Sequence, residues 1–447
     1  MLAKDSDGER GNEPLTPIYP FNRPGEATDL YSGPIGGLYD TAVDGTIRLV
    51  PYPSLDIRWH IDVPNAEGYS TTDRLGDRFD LTAGGMTGRG MVTSTSFGSV
   101  AGISPSLEFE SGELIDRALV HWTNLPNYAG NMTLRYVGND GDTTWTSGRL
   151  KLEVDSWSIT LDARSDNSRL FEEDAGLARY VLTHVMELRR ADRAPFSVES
   201  ARRAMEALRL SLSFAAGRWV APTLSVGFDT MGGEAWRRWV TPICEPYERI
   251  GSPVISPIVS SDLAAFVKAS FTKLHDGNAP NTTGFQMQLA TQTSRLGFVE
   301  NRIFAAFPAI ENLSWETFVL TGLVPSREFE DSKSWPTARR LRELLLRAQI
   351  PIDIEEERLP ALYQLAVEKG LDGPEAVTWV RNRLIHPKAP HERLYTRETL
   401  VVEAWQQSRE YLCLLLLHSI GYAGGYLSAV PPYGWVGSPA PVPWTMP

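Results

Sequence analysis

From Thr46 to about Ser165, apolar and polar residues alternate in short runs separated by Gly, Asn and Asp clusters, which is the period of half-buried β-strands. The runs Leu55–Val63, Ser106–Glu110, Ala118–Thr123, Met132–Val137, Arg149–Val154 and Trp157–Leu161 predict an antiparallel sheet, arranged as a sandwich. Asn139-Asp140-Gly141-Asp142 predicts a hairpin turn between two of them. Residues 1 to about 45 carry Pro14, Pro17, Pro20 and Pro24, spaced to exclude regular elements and to give a mobile start that packs later.

The period then changes. Ser197 is placed to cap a helix with Ala201, Met205, Leu208 and Leu212 on one face, ending near Gly217. A strand from Trp219 to Phe228, a Gly232-Gly233 turn and a return strand over Trp236–Val240 follow. After about Ser256 the spacing is helical. Helices are predicted at Ser261–Lys273, at Phe285 to about Leu320 with Pro308 kinking or dividing it, at Thr337–Gln349, and at Leu359–Glu368 ending at Gly370. A final long helix starts near Arg397 or Glu398 and carries Tyr411–Leu417, an apolar run too short to span a bilayer, which takes about 20 residues. Six prolines between Pro431 and Pro447 exclude helix or central strand and leave a strap on the protein itself or a ligand for a partner. The fold class is therefore α+β: a β-rich, sandwich-like domain over 1–165, a mixed α/β connection over 166–255, an all-α bundle over 256–430 and a Pro/Trp-rich tail over 431–447.

Composition changes this picture little. With 447 residues, 42% apolar and 22% charged, the chain is long enough for two or three cores. Its first ten residues are polar, with no apolar stretch of a secretory signal, so a cytoplasmic protein is expected. Cys244 and Cys413 lie far apart in apolar settings, as reduced buried thiols do. The net charge of −12 argues against indiscriminate coating of nucleic acid. Against that background, Arg381, Arg383, Lys388, Arg393 and Arg397 face Glu392 alone, a local basic segment.

That segment contains the one place where ionisable groups of complementary role recur at defined spacing. Asp372-Gly373-Pro374-Glu375 reads as a capping box with proline in the first turn, starting a helix that runs to about Ile385. Pro387 pushes His386 out of the α region, so the imidazole stands at the helix exit, where a chain turn can bring it towards Arg381. Arginine supplies a permanently charged fork for phosphate, and histidine the side chain whose ordinary pKa is nearest neutrality.

Arg381-Asn382, three residues and then His386 resembles the Arg-polar-x3-His signature of HEPN-domain proteins, many of which are metal-independent endoribonucleases. There too the motif lies late in a helical bundle, just before a long final helix. The resemblance implies an HEPN-like bundle over 256–430 that cleaves RNA by 2′-OH attack, with Arg381 and His386 catalytic and Asn382 orienting His386 or a phosphate oxygen. It also implies a homodimer that brings two motifs to one cleft. Arg383, Lys388 and Arg393 would bind RNA, His391 would assist, and Glu311 would pair with Arg381. A β-rich region ahead of an abortive-infection type HEPN domain is similar in arrangement to ApeA-like phage-defence proteins. That arrangement implies an antiviral effector whose β-rich domain senses a phage-derived or nucleotide trigger.

Other features point elsewhere or nowhere. Gly84-Gly85-Met86-Thr87-Gly88-Arg89-Gly90 could form a phosphate nest, but lacks a following Lys-Ser/Thr and reads more simply as a loop between strands. His60, His121 and His184 read as hydrogen-bonded structural residues, and Trp219, Trp236 and Trp239 as packing. The sequence has no His-Glu-x2-His run, Cys-x2-Cys pair or Gly-x4-Gly-Lys-Ser/Thr loop, so no metal or cofactor is implied. Two competing readings remain: a non-catalytic HEPN module that binds nucleotide or RNA or only dimerises, and a carbohydrate- or protein-binding sandwich suggested by its Trp-rich strands.

Overall fold

The computed structural model describes residues 12–63, 73–138, 141–173, 179–246, 252–275, 280–295, 297–386 and 392–445. The chain forms two compact units, the first comprising Met1–Arg209 and Trp219–Arg249, the second Leu210–Arg218 and Ile250–Pro447.

In the first unit the alternating runs form one 14-stranded antiparallel sheet. Its first strands are β1 (Thr28–Gly36), β2 (Val43–Val50), β3 (Asp56–Asp62), β4 (Arg78–Ala83), β5 (Met86–Ser96) and β6 (Ser99–Ser104). They follow the order β4-β1-β2-β3-β6-β5, and β4 also pairs with β5, so this part closes on itself. The expected sandwich is here a barrel. Ile47, Ile57, Trp59, Ile61, Leu81 and Val100 fill it, each an inward position of its strand. Gly102 is a glycine because a Cβ there would come within 2.4 Å of the Trp59 indole and 2.0 Å of the Met91 carbonyl oxygen.

The sheet continues through β7 (Ser106–Glu110), β14 (Glu234–Val240), β13 (Ala221–Phe228), β8 (Arg117–Thr123), β12 (Leu182–Arg190), β11 (Trp157–Ala163), β10 (Thr143–Val154) and β9 (Met132–Val137), in that spatial order. Residues beyond 165 thus complete the same sheet: β8 lies between β12 and β13, which reach its two edges from later in the chain. β12 gives no alternating signal because Leu182–Met186 are all buried.

The N-terminal region departs from expectation. Residues 28–36 form β1 despite Pro34, because pairing with β4 begins only at Ile35 and leaves Pro34 beside a single full ladder. The Gly84–Gly90 segment is a hairpin: Gly84 and Gly85 take φ of 56° and 79° between the paired Ala83 and Met86. Arg89, on β5, pairs with Asp80 at 3.3 Å. Asn139 and Asp140 lie outside the described residues, but the strands they join pair from Val137 and Thr143 onward.

Five tryptophans of the strands are packing residues: Trp59, Trp122, Trp157, Trp236 and Trp239 are fully buried, whereas Trp145 on the strand Thr143–Val154 is 56% exposed. His121 accepts the Tyr19 amide at 3.2 Å. His184 stacks on Tyr128, and neither of its ring nitrogens has a partner among the described residues, contrary to the expected hydrogen bond.

The second unit is helical. It contains Ser260–His275, Pro280–Ser294, Val299–Ser314 with a π-helical extension Trp315–Leu320, Ser326–Glu330, Thr337–Arg347, Pro360–Lys369, Gly373–Ile385, Glu392–Tyr395 and Leu400–Ser419. The stripe predicted over 285–320 is broken at Gly297 (φ 135°), a conformation open to glycine, and not at Pro308. Pro308 lies within the Val299–Ser314 helix on its exposed side, where water can satisfy the carbonyl that loses its donor.

Leu400–Ser419 packs against Pro280–Ser294, Val299–Ser314, Pro360–Lys369 and Gly373–Ile385. Its buried polar groups are occupied: Arg409 donates to the Ser294 hydroxyl and the Ser252 carbonyl, and Glu410 accepts from Tyr426, Ser428 and the Ala429 amide. Burial pushes the Cys413 thiol up to about 11. The tail lies on its own unit: Gly425-Tyr426 pairs with Ala440-Pro441, Val442 is buried, and the Trp444 indole donates to the Tyr422 carbonyl. Among the described residues no helix is long and apolar enough to cross a membrane.

Candidate functional site

The helix Gly373–Ile385 begins as its sequence dictates. The Glu375 amide donates to Asp372 Oδ1 at 2.9 Å and the Asp372 amide to Glu375 Oε2 at 3.3 Å, the reciprocal capping box. Gly373 is required there, since a Cβ would fall 2.1 Å from the Tyr411 hydroxyl and 2.3 Å from the Ile352 carbonyl oxygen. Arg342, on the helix Thr337–Arg347, binds the cap, pairing with Asp372 and with Glu375 at 2.9 Å. Ala376, Val377 and Val380 bury one face and fix the rotation of the helix, hence the direction of the residues that follow.

Arg381 is half-buried with its guanidinium 5.4 Å from the centre of the Phe307 ring, and its Nη1 donates to Asn382 Oδ1 at 2.9 Å. Its Nε is buried without a partner among the described residues. The helix closes with the His386 amide donating to the Asn382 carbonyl at 2.8 Å. His386 itself has φ −115° and ψ 88°, outside the α region that a following proline disfavours, and its side chain is exposed. Arg383 lies over the Trp379 ring at 5.1 Å, with Lys369 Nζ 5.0 Å from the same ring.

The sequence therefore locates the helix, its cap and its exit, but two expected contacts differ. Asn382 is bonded to Arg381 and not to the imidazole, and no hydrogen bond joins Arg381 to His386 among the described residues. Glu311 pairs with Arg340 at 2.5 Å and accepts from the Thr337 hydroxyl at 2.7 Å, so it does not serve Arg381. Its helix presents it to Thr337–Arg347, whose spacing puts Arg340 opposite. Pro387, Lys388 and His391 lie outside the described residues, and Arg393 belongs to the helix Glu392–Tyr395. Two aromatic supports were missed: Phe307 beneath Arg381 and Trp379 beneath Arg383. The second was legible, because positions i and i+4 share a helix face.

Two stretches match known families. Residues 110–250 match the YopA central domain, and residues 289–440 match the YopA C-terminal domain. The C-terminal match contains the whole Gly373–Ile385 helix and the long helix after it. A relative of the same name, the SPbeta prophage-derived uncharacterized protein YopA of Bacillus subtilis strain 168, is 28% identical over 295 residues. The match covers 63% of this chain and 63% of that relative's length. No solved structure matches.

Proposed function

We propose that this chain is a metal-independent endoribonuclease of the HEPN type, acting as the toxic effector of an antiviral defence. The observation that carries the reading is the pair at the end of one capped helix: Arg381 braced by Phe307 and Asn382, and His386 exposed at the exit. An exposed imidazole can take the proton of a ribose 2′-OH as its oxygen attacks the adjacent phosphorus. Arg381 would offset charge on the phosphorane, and an acid must protonate the departing 5′-oxygen. One histidine does not perform both transfers in a single step, so the reading includes a second copy of the chain supplying the other His386. Arg383 on its Trp379 support would hold the RNA backbone. The prophage origin named for the B. subtilis relative is in keeping with a role in contests between phages.

The test is RNA cleavage by the purified full chain with chelator present. His386→Ala and Arg381→Ala should each abolish it while leaving the thermal melt unchanged, and full activity in both would remove the assignment. A second reading follows from the Arg381–Asn382 bond, which occupies part of the guanidinium with a neutral partner. A non-catalytic HEPN module would bind RNA or nucleotide through the remaining donors, under control of the β-rich unit. It predicts Arg381-dependent binding without cleavage.

A further inference from the structure

We propose that the outer face of the barrel, across β2, β3, β6 and β5, binds a small phosphorylated ligand of nucleotide size. The face carries an open hollow of about 730 Å³ lined by Thr46, Arg48, Arg58, His60, Thr93 and Ser94, with Ala101 and Ile103 on its floor. This is within the range of small-ligand sites, which run from about 300 to 1,000 Å³.

Its charge pattern is unusual for a bare sheet surface. Arg48 and Arg58 are directly opposed across β2 and β3, and Thr46 is opposed to His60 in the same register. Like charges facing each other across strands are destabilising, and carboxylates beside these two offset that in part. Each guanidinium has one carboxylate at the rim, Asp29 for Arg48 at 2.6 Å and Asp56 for Arg58 at 3.0 Å. A guanidinium carries five donors, so these pairs orient the forks without using them up. The side chains of Arg48, Arg58 and His60 remain 53%, 44% and 46% exposed.

The hollow has its origin in the backbone register. A bulge between Val92 and Ser94 turns both Thr93 and Ser94 to the outer face, adding adjacent hydroxyls. Ala101, paired to His60 on one side and Ser94 on the other, leaves the centre low. Arginine forks with hydroxyl donors and an imidazole match phosphate oxygens. The lining has no exposed Phe, Tyr or Trp ring, since Trp59 is turned into the barrel core, so it lacks the broad stacking platform that a nucleic acid strand uses.

The experiment is calorimetric titration of the full chain with ATP, with adenosine and with inorganic phosphate. ATP should bind, more weakly as salt is raised, and adenosine should not. Arg48→Ala with Arg58→Ala should weaken ATP binding about tenfold or more. Ala101→Phe, which fills the hollow and leaves every charge in place, should do the same. Arg89→Ala, on the same barrel but outside the cavity, should change nothing. Absence of ATP binding, binding indifferent to the double variant and to Ala101→Phe, or inorganic phosphate binding as tightly as ATP would each overturn the proposal.

Discussion

Arg342 is ion-paired to Asp372, the residue that caps the helix leading to Arg381 and His386. The contact makes one arginine of a neighbouring helix responsible for the start of the segment whose far end carries the proposed chemistry. Asp372→Ala removes the cap and leaves the guanidinium with Glu375 alone. It should destabilise the helical unit by about 1 to 2 kcal/mol, read as a lower urea midpoint. Cleavage should fall less than in His386→Ala, because the substitution touches no reacting group.

The aromatic bed of Arg381 can be separated from the packing role of Phe307. Phe307→Leu keeps an apolar side chain in a fully buried position and removes the π face. A stability loss under about 1.5 kcal/mol with a several-fold fall in cleavage is expected. An unchanged cleavage rate would mean that the ring only fills space.

Low pH should weaken the β-rich unit through two histidines. Burial lowers His121 to about 4 and His184 to about 3, in the latter case with Arg164 adding repulsion. Both folded values lie below the ordinary 6.5, so the unfolded chain binds protons first as pH falls. Stability is full above about pH 6.5 and declines below it, until pH passes the folded values. The slope is about 1.4 kcal/mol per pH unit for each ring, or roughly 2 kcal/mol apiece between pH 6.5 and 5. Urea melts of the wild type and of His184→Phe, which preserves the stack on Tyr128, should show a shallower pH slope in the variant.

Arg149 and Asp162 form a buried bidentate pair that also holds the N-terminal segment, since Asp162 accepts the Leu15 amide at 2.8 Å and Arg149 donates to the Glu13 carbonyl at 2.8 Å. Asp162→Ala leaves a buried cation unpaired and should cost about 3 to 5 kcal/mol. Limited proteolysis of the variant should cut first near residues 13–22.

The features legible in the sequence are local ones. The capping box at Asp372 and Glu375, the left-handed Gly370 that ends Pro360–Lys369, and the strands flanking Gly232-Gly233 are each decided within a few residues. Barrel closure is not, because it rests on Ile35 meeting Ala83 and Gly36 meeting Thr82, pairings that alternation neither requires nor forbids. Partner choice among like residues was equally hidden. Glu311 had several arginines available, and packing of two helices selected Arg340. The cross-strand pair Arg48 and Arg58 emerges only once the register of β2 and β3 is known.

Closure also decides where this sheet could be extended. Closure narrows the open rim of β1 to β6 to the parts of β1 and β4 outside the Ile35–Ala83 and Gly36–Thr82 pairs. Among the described residues the other open lip is β9, and there the Arg135 amide is already taken by the Asn12 carbonyl at 2.8 Å. At β9, strand-exchanged oligomers or fibrillar stacking would have to begin by peeling away that cover, which makes the segment at Asn12 a guard against misassembly.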